Sequence, residues 1–436
     1  MIKKFTEASA PGRLDVMGGI GDYSGSLVLQ MPIAQKTKIE LTLRDDYQCH
    51  IESKISSGEA LMAHVDFRHY LDGYEVDYLF AREKFKSNPA IQWISYIIGC
   101  ALVLQKEKGI NFKGADFKLT SNVPLGKGVS SSASVEVATM KALTEAFDVP
   151  LSGTLLPTLA QRVENLVVGA PCGLMDQLTS FFGEPKKLLP ILCQPDQIET
   201  PISFPADISF IGIDSGVRHS VAGASYGDVR CAAFMGYTII ASSLGISGEE
   251  LQSAKSKNDF MSLPYRGFLS NISVQQFEDS FIHHLPSSLS GKDFHEIYGV
   301  SLDPVTTVDP NKVYQIKQCA SHPVYEHNRV NRFRNYLLAL NESPWQEERI
   351  DLLIKMGELM DQSHKSYSLC GLGSERTDEI VALSKNTPGV YGAKITGGGN
   401  GGTVCLLVDE EGRISARSIH QQLCEKYKGD FMLFES

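Results

Sequence analysis

The residues that most clearly suggest chemistry form a run of small side chains, PLGKGVSSSAS, at residues 124–134. Two glycines and four serines occupy this run, and the apolar periodicity that follows it predicts a helix. A helix N-terminus carries unpaired N–H groups and the positive end of the helix dipole. The run therefore predicts a phosphate site, although a serine N-cap after a glycine turn would need no ligand. It differs from a Walker A loop because Lys127 is followed by Gly128.

Charged residues in glycine-rich surroundings suggest further chemistry. Asp176, among apolar residues in ENLVVGAPCGLMDQLTS, is a candidate general base, with an ordinary aspartate on a helix surface as the alternative. In APGRLDVMGGIGDYSG, Arg13 could neutralise a phosphoryl group or a carboxylate, and Asp22 could hold two adjacent hydroxyls. Five glycines in the six positions 397–402 lie between strand-like segments and predict a tight turn near a ligand.

The elements that must position these residues are mixed strands and helices. Residues 250–320 have no clear period and predict an irregular segment, and a polar, proline-marked stretch at 195–205 predicts a domain boundary. Apolar patterns predict strands at 37–44, 115–121, 187–193 and 208–214, a strand, glycine loop and strand over 391–408, and helices at 90–109, 156–168, 225–243 and 345–384.

Length and composition narrow the class of protein. The 436 residues suffice for two or three domains, and a net charge of −10 without a basic run argues against a nucleic-acid partner. Nine cysteines without metal-ligand spacing predict free thiols in a reducing compartment. The N-terminal segment has no apolar core of a secretory signal, and no apolar run is long enough to cross a membrane. A cytoplasmic protein is expected.

Taken in order, these segments resemble the GHMP kinases, in particular their galactokinase branch. PLGKGVSSSAS matches the pattern P-x-x-x-G-x-x-S-S-A, and APGRLDVMGGIGDYSG corresponds to PGRVNLIGEHTDYNGG of galactokinases. GAPCGLMDQ and AKITGGGNGGTV match two further motifs, and DSGVRHSVAGASYGDVR (214–230) resembles the segment that ends in Y-P-V-R-R. The resemblance covers nearly the whole chain. It implies an α+β, two-domain GHMP kinase fold, with domains at 1–200 and 201–436 and the active site in the interdomain cleft.

The resemblance also implies a reaction, the transfer of the γ-phosphoryl group of ATP to the anomeric hydroxyl of a sugar. Asp176 matches the catalytic aspartate and Arg13 the arginine beside it. ATP and Mg²⁺ are the implied cofactors, and Ser132 and Glu164 match the magnesium-binding positions. Trp93 matches a tryptophan near the adenine pocket, with a core tryptophan as the alternative. The implied phosphate-binding positions are Gly126, Gly128, Ser130, Ser131, Ser132 and Ala133, and the implied sugar-binding positions are Asp22, Gly19, Ile20, Gly173 and Tyr226.

The sequence departs from galactokinases at the Glu-His pair that faces the C6 hydroxymethyl group of galactose, because Gly19 and Ile20 stand there. A sugar with the same ring stereochemistry and no C6 group is L-arabinopyranose. The segment around this pair, and others such as SYSLCGLGS (366–374), are similar to the kinase part of plant L-arabinokinases, which carry a further N-terminal region. L-arabinose is therefore the expected substrate.

The motifs are also consistent with other sugar substrates and with one other class of function. D-galactose or a 6-deoxy sugar is an alternative substrate, because a pocket lined by isoleucine rejects an extra apolar group only by crowding. A fucose or a heptose is a further alternative, because fucokinases and heptose kinases resemble this chain in carrying Gly-Gly in this motif. A sugar sensor without turnover would be expected to have lost Arg13, Asp176, Ser132 or Glu164, and all four are present. The expected partners are a small-molecule sugar and ATP, without nucleic acid or membrane. The chain is expected to be a monomer or a weak homo-oligomer.

Overall fold

The computed structural model describes residues 3–54, 58, 60–194, 196–217, 224–429 and 431–436, except for the side chains of residues 224 and 225. The chain forms two compact units. The first comprises Met1–Arg13, Met31–Pro185 and Ser436, and the second comprises Leu14–Gln30 and Lys186–Glu435. The change of unit at residue 185 lies near the predicted boundary, but the segment Leu14–Gln30 belongs with the second unit. A division into family domains at 1–200 and 201–436 stays a prediction.

Strands of the first unit pair in a mixed sheet. Strand β3 (Gln48–Lys54) pairs antiparallel with β4 (Ala60–Asp66) and parallel with β5 (Ala115–Ser121). The Thr37–Leu43 part of β2 (Leu27–Leu43) pairs antiparallel with β5. Ile39 and Leu41 of β2 are fully buried while Lys38 and Glu40 alternate with them, which is the period of a strand with one face in the core. The first strands are β1 (Phe5–Met17), β2 (Leu27–Leu43), β3 (Gln48–Lys54), β4 (Ala60–Asp66) and β5 (Ala115–Ser121).

Five α-helices lie among the described residues of the first unit, and apolar residues of each belong to, or pack against, one buried cluster that they share with this sheet. The helices are α1 (Tyr78–Lys86), α2 (Ser95–Lys108), α3 (Ser131–Ala146), α4 (Leu155–Arg162) and α5 (Met175–Phe182). The helix predicted over 156–168 changes character after α4, because Val163–Val168 forms a π-helical turn. Such turns occur frequently at functional sites.

The second unit contains an antiparallel sheet whose strands lie side by side in the order 390–395, 403–409, 208–214 and 433–434. The first residues of β2 pair with the strand 187–192. Its strands are β6 (Lys187–Leu192), β7 (Gln197–Ile198), β8 (Ile202–Ser203), β9 (Ile208–Asp214), β10 (Leu289–Ser290), β11 (Val313–Tyr314), β12 (Val390–Ile395), β13 (Thr403–Asp409) and β14 (Leu433–Phe434). The glycine run 397–402 connects β12 to β13, as the sequence predicted.

Helices pack around this sheet in two buried apolar clusters. They are α6 (Ala224–Ser243), α7 (Gly248–Lys257), α8 (Val274–Gln276), α9 (Gly291–Ile297), α10 (Ile316–Glu342), α11 (Gln346–Leu369), α12 (Glu375–Ser384) and α13 (Glu410–Tyr427). The segment 250–320, predicted to be irregular, contains short helices and turns. Among the helices of the described residues, none is both long and apolar enough to cross a membrane.

Candidate active site

Asp176 lies in the first turn of α5 and forms a two-point ion pair with Arg13 at the end of the first unit's opening segment. Arg13 Nε donates to Oδ1 at 2.8 Å and Nη2 donates to Oδ2 at 3.0 Å. The arginine side chain is 4% exposed and the aspartate side chain 20%. A planar guanidinium fork fixes both the charge and the orientation of a carboxylate. Asp176 is therefore held as an oriented acceptor with one side open to solvent.

The glycine–serine run closes around this pair. Arg13 Nη1 donates to the carbonyl oxygen of Gly128 at 2.7 Å, and the Arg13 N–H donates to the carbonyl oxygen of Val129 at 3.0 Å. Ser130 is the residue before α3 and adopts a left-handed conformation, with φ of 57°. Its hydroxyl makes no capping bond to the helix and donates to Oδ2 of Asp176. The predicted phosphate site and the predicted catalytic pair are thus neighbours within one unit.

Two glycines of the run have positive φ, with values of 69° for Gly126 and 71° for Gly128. Such angles are costly for residues that carry a Cβ atom. Ser131 and Ser132 open α3 and are partly exposed, while Ala133 is buried. The start of α3 therefore combines accessible hydroxyls with the unpaired N–H groups of a helix end, which is chemistry suited to phosphate oxygens.

Glu164 lies in the π-helical turn and is 2% exposed. Its carboxylate accepts a hydrogen bond from Gln177 Nε2 at 2.9 Å and contacts the Cys172 thiol and the Ser132 hydroxyl. Burial, together with the negative charge of Asp176, raises the pKa of Glu164 to about 7. The two predicted magnesium ligands are therefore adjacent, and both offer oxygen atoms.

A second buried carboxylate, Glu136 on α3, was not predicted. Gln177 Nε2 donates to Glu136 at 3.1 Å as well as to Glu164, so one amide bridges two buried carboxylates. Burial, and then the charge of Glu164, raises the pKa of Glu136 well above its ordinary value. Gln177 directly follows Asp176 in the GLMDQ motif, and this adjacency was the available sequence signal.

The predicted sugar-binding residues Gly19, Ile20 and Asp22 lie in a buried 3₁₀ turn, Gly19–Ser24, of the second unit. Ile20 is 1% exposed and belongs to the same apolar cluster as Tyr226 of α6. An oxygen of Asp22 accepts a hydrogen bond from the next backbone N–H at 2.7 Å. Residues 218–223, part of the matched segment that precedes Tyr226, lie outside the described residues.

Arg230 on α6 stabilises the surroundings of this turn. Its guanidinium donates to both oxygens of Asp303, at 2.7 and 2.8 Å, and lies over the rings of Tyr23 and Phe234. The ring of Tyr23 also meets that of Tyr226, with centroids 6.2 Å apart. The segment 250–320 therefore contributes a buried carboxylate that holds α6 against the turn.

Sequence reasoning also missed a buried polar network beneath the turn. Asp15 and Lys394 form an ion pair at 2.9 Å, and both side chains are fully buried. Tyr367 on α11 accepts a hydrogen bond from the Ile20 N–H and donates one to the carbonyl oxygen of Gly397, each at 3.0 Å. The only sequence signal for Tyr367 was its place in SYSLCGLGS, one of the segments similar to plant relatives.

The predicted site residues divide between the two units. The phosphate, magnesium and catalytic candidates all belong to the first unit, as does Gly173 in the loop before α5, whereas Gly19, Ile20, Asp22 and Tyr226 belong to the second. Trp93 lies in a short 3₁₀ turn and packs, partly buried, against the core of the first unit. Its predicted role near adenine stays a prediction.

Two family models match parts of the chain. Residues 95–184 match the GHMP kinases N terminal domain, and residues 349–429 match the GHMP kinases C terminal domain. An L-arabinokinase from Arabidopsis thaliana is 40% identical over 97% of this chain, which spans 44% of that relative's length. A galactokinase from Chloroflexus aggregans is 29% identical over 93% of this chain and 84% of its own.

Among solved structures, the galactokinase of Lactococcus lactis, complexed with galactose, superposes with a TM-score of 0.71 at 20% identity, covering 99% of this chain and 93% of its own. The fold is therefore the two-domain α+β fold of that protein. The chain carries both the N-terminal and the C-terminal domain of the GHMP kinases.

Proposed function

We propose that the chain is an ATP-dependent sugar kinase that phosphorylates the anomeric hydroxyl of L-arabinose to give L-arabinose 1-phosphate. The GHMP kinase domains and the likeness to an L-arabinokinase and to galactokinases support phosphoryl transfer to a sugar. The observation that carries the choice of sugar is the buried, apolar Gly19–Ile20 pair at the position of the Glu-His pair of galactokinases.

In the proposed reaction, Asp176 accepts the proton of the anomeric hydroxyl while that oxygen attacks the γ-phosphorus of ATP. The bond to the bridging oxygen of the β-phosphate breaks, and ADP leaves. Arg13 keeps the Asp176 carboxylate ionised and oriented through two hydrogen bonds. The positive charge of Arg13 also stabilises the phosphoryl group during its transfer. Positioning of this kind supplies much of the acceleration in phosphoryl transfer.

The proposed nucleotide site is the glycine–serine run with the start of α3. Ser132 and Glu164 fit a magnesium ion, because a hydroxyl and a buried carboxylate in contact offer the hard oxygen ligands that Mg²⁺ prefers. Within the described residues, no group of three or more His, Cys, Asp or Glu could form an all-protein cage. Two protein ligands suffice where phosphates and water complete the shell. Bound Mg²⁺ would neutralise charge on the phosphates.

Sugar selection is proposed to depend on the turn that carries Asp22. Asp22 would hold adjacent ring hydroxyls, and Gly19 and Ile20 would face the position of a C6 group. Glycine has no side chain and isoleucine has an apolar one, so neither residue offers a side-chain hydrogen bond to a hydroxymethyl group. A buried hydroxyl without a partner costs about 1–3 kcal/mol, which corresponds to roughly ten- to a hundredfold in affinity. L-arabinose has no such group.

D-galactose is the second candidate, because several of the relatives are galactokinases that this chain matches over most of their length. D-fucose, which has the C6 carbon without its hydroxyl, would be rejected by crowding alone, whereas a heptose would be rejected both by crowding and by its unpaired hydroxyls. A silent sugar sensor is disfavoured by the intact Arg13–Asp176 pair.

The test is steady-state kinetics with MgATP on L-arabinose, D-galactose and D-fucose side by side. The proposal expects the highest kcat/KM for L-arabinose. If D-galactose has the highest value, other residues hold its C6 hydroxyl and the substrate assignment is wrong. If no sugar stimulates ADP release, the assignment as a sugar kinase is wrong. The variant Glu164→Gln should weaken binding of Mg²⁺·ADP, measured by calorimetry, more than it weakens binding of ADP alone.

A further inference from the structure

The backbone of the turn next to Asp22 is held at three successive amides by three different buried side chains. The Gly18 N–H donates to Glu326 of α10 at 3.3 Å, the Gly19 N–H donates to Asp15 at 3.0 Å, and the Ile20 N–H donates to Tyr367 of α11 at 3.0 Å. All three acceptor side chains are fully buried. These three hydrogen bonds restrain the backbone of residues 18–20.

Tyr367 does more than accept one of these bonds, because it fills the space beside Gly19. A Cβ atom added at Gly19 would lie 1.5 Å from the Tyr367 hydroxyl oxygen and 2.7 Å from the ring carbon that carries it. Gly19 also has a φ of 30°, which side chains rarely adopt. While Tyr367 is present, position 19 cannot carry a polar side chain.

The tyrosine is itself fixed in place. Its hydroxyl donates to the carbonyl oxygen of Gly397, its ring meets the edge of His322 with centroids 5.3 Å apart, and Lys394 Nζ lies 5.4 Å from the ring centroid. Burial raises the pKa of Tyr367 well above its ordinary value, so the hydroxyl keeps the proton that it donates. It therefore bridges the turn and the glycine loop after β12.

We propose that Tyr367 is a specificity-determining positioning residue, whose hydroxyl takes the place of a polar side chain at position 19 and fixes Ile20 through its amide. The proposal rests on the proposed function, because it assigns a sugar preference to this turn. The sugar pocket would thereby have no hydrogen-bond partner for a C6 hydroxyl and little room for a C6 carbon. Tyr367 does not touch the reacting atoms and acts through Gly19 and Ile20.

The test is the variant Tyr367→Phe, assayed with L-arabinose, D-fucose and D-galactose. Loss of the hydroxyl frees the Ile20 amide, so we expect the KM for L-arabinose to rise about five- to tenfold with kcat nearly unchanged. The preference for L-arabinose over D-fucose should fall by a similar factor, because Ile20 can then yield to a C6 carbon. A purely structural role would lower kcat/KM for every sugar by the same factor.

The matched control is Tyr237→Phe, which removes another buried hydroxyl of the same unit, one that donates to the carbonyl oxygen of Pro264 at 2.7 Å. It should leave the sugar ratios unchanged. If Tyr367→Phe also leaves them unchanged, the inference about Tyr367 is wrong. If the unmodified protein phosphorylates none of the three sugars, the proposed function is what fails.

A second comparison covers the case in which Tyr367→Phe folds poorly. Gly19→Ala should lower the melting temperature sharply in the unmodified protein, and by clearly less in the Tyr367→Leu background, where the hydroxyl and ring that meet the new Cβ are gone. Equal losses in both backgrounds would show that Tyr367 does not exclude side chains at position 19, and would overturn the proposal.

Discussion

Arg13 donates two parallel hydrogen bonds to Asp176, and Ser130 donates a third to the same carboxylate. Three donors therefore hold one carboxylate whose side chain remains 20% exposed. Arg13 lies in the segment APGRLDVMGGIGDYSG and Asp176 in GAPCGLMDQ, and the two residues are 163 positions apart in the sequence. Because the Asp176 carboxylate is held in this way, the effect of replacing it can be predicted.

Asp176→Asn should lower kcat by about 10³-fold while sugar binding stays within a few-fold, because an amide presents one acceptor and cannot take up the proton. Turnover is measured by ADP release and sugar binding by calorimetry. The control is Asp46→Asn, which alters an exposed aspartate paired with Arg44 in the same unit. Retained turnover in Asp176→Asn would remove Asp176 from the mechanism.

Gln177→Leu should lower the free energy of unfolding by about 2 kcal/mol, because both buried carboxylates lose the amide that they share. Urea unfolding at neutral pH measures the loss. Gln161→Leu is the matched control, since Gln161 is only partly buried and its amide donates to the Cys172 carbonyl oxygen. Equal stability of the two variants would mean that the bridge contributes nothing.

Asp303→Asn should destabilise the protein by about 3–5 kcal/mol, because it leaves the Arg230 guanidinium buried without its counter-charge. The KM for the sugar should also rise, since Arg230 supports the ring of Tyr23 beside Asp22. Chemical unfolding and steady-state kinetics measure the two effects. Asp228→Asn, which alters a half-exposed pair with Lys312, should change stability by less than about 1 kcal/mol.

His322 should contribute less to stability as the pH drops from 6.5 towards 4.5, because burial lowers its pKa to about 4, whereas Glu164, with a pKa of about 7, contributes with the opposite sign. At His322 the native state binds fewer protons than the unfolded state, so this residue's contribution to the free energy of unfolding rises with pH across the window. The charged groups around His322 are Glu326, Arg329, Lys394 and Asp15. The pKa of Glu326 is about 2, so the stability that Glu326 contributes is lost only below about pH 4.5, its ordinary pKa.

The expected loss of the His322 contribution is about 2–3 kcal/mol between pH 6.5 and 4.5. Urea unfolding across this range should show a smaller slope for His322→Gln than for the unmodified protein. His284→Gln, which changes an exposed histidine of the same unit, should keep the full slope. An unchanged slope in His322→Gln would assign the acid sensitivity to other groups.

Local patterns predicted most of the elements near the site. The helix α3 and strand β5 follow from apolar periodicity, and the glycine run before α3 follows from backbone freedom. The helix α10, with 27 residues, received no prediction; its length was obscured by Pro323 and its charged residues. The sequence predicted an ordinary helix where Glu164 lies in a π-helical turn, because the different hydrogen bonding does not change the apolar periodicity of the sequence.

Contacts between distant positions could not be predicted in this way. Ile20 and Tyr367 are separated by 347 positions, and Asp15 and Lys394 by 379. No periodicity connects such residues, since their approach depends on the packing of the whole unit. The resemblance of the motifs identified the residues expected to contact ligands. It did not identify the buried side chains that hold those residues in position.

The steric conflict at position 19 has an evolutionary consequence. Since a Cβ atom there would meet the Tyr367 hydroxyl, the first step from this turn toward the Glu-His pair of galactokinases cannot be a lone substitution of Gly19. Tyr367 would have to change first, and that step loosens the Ile20 amide before any new sugar contact exists. The effect of a substitution at position 19 is therefore expected to depend on the residue at position 367, which is epistasis between the two positions.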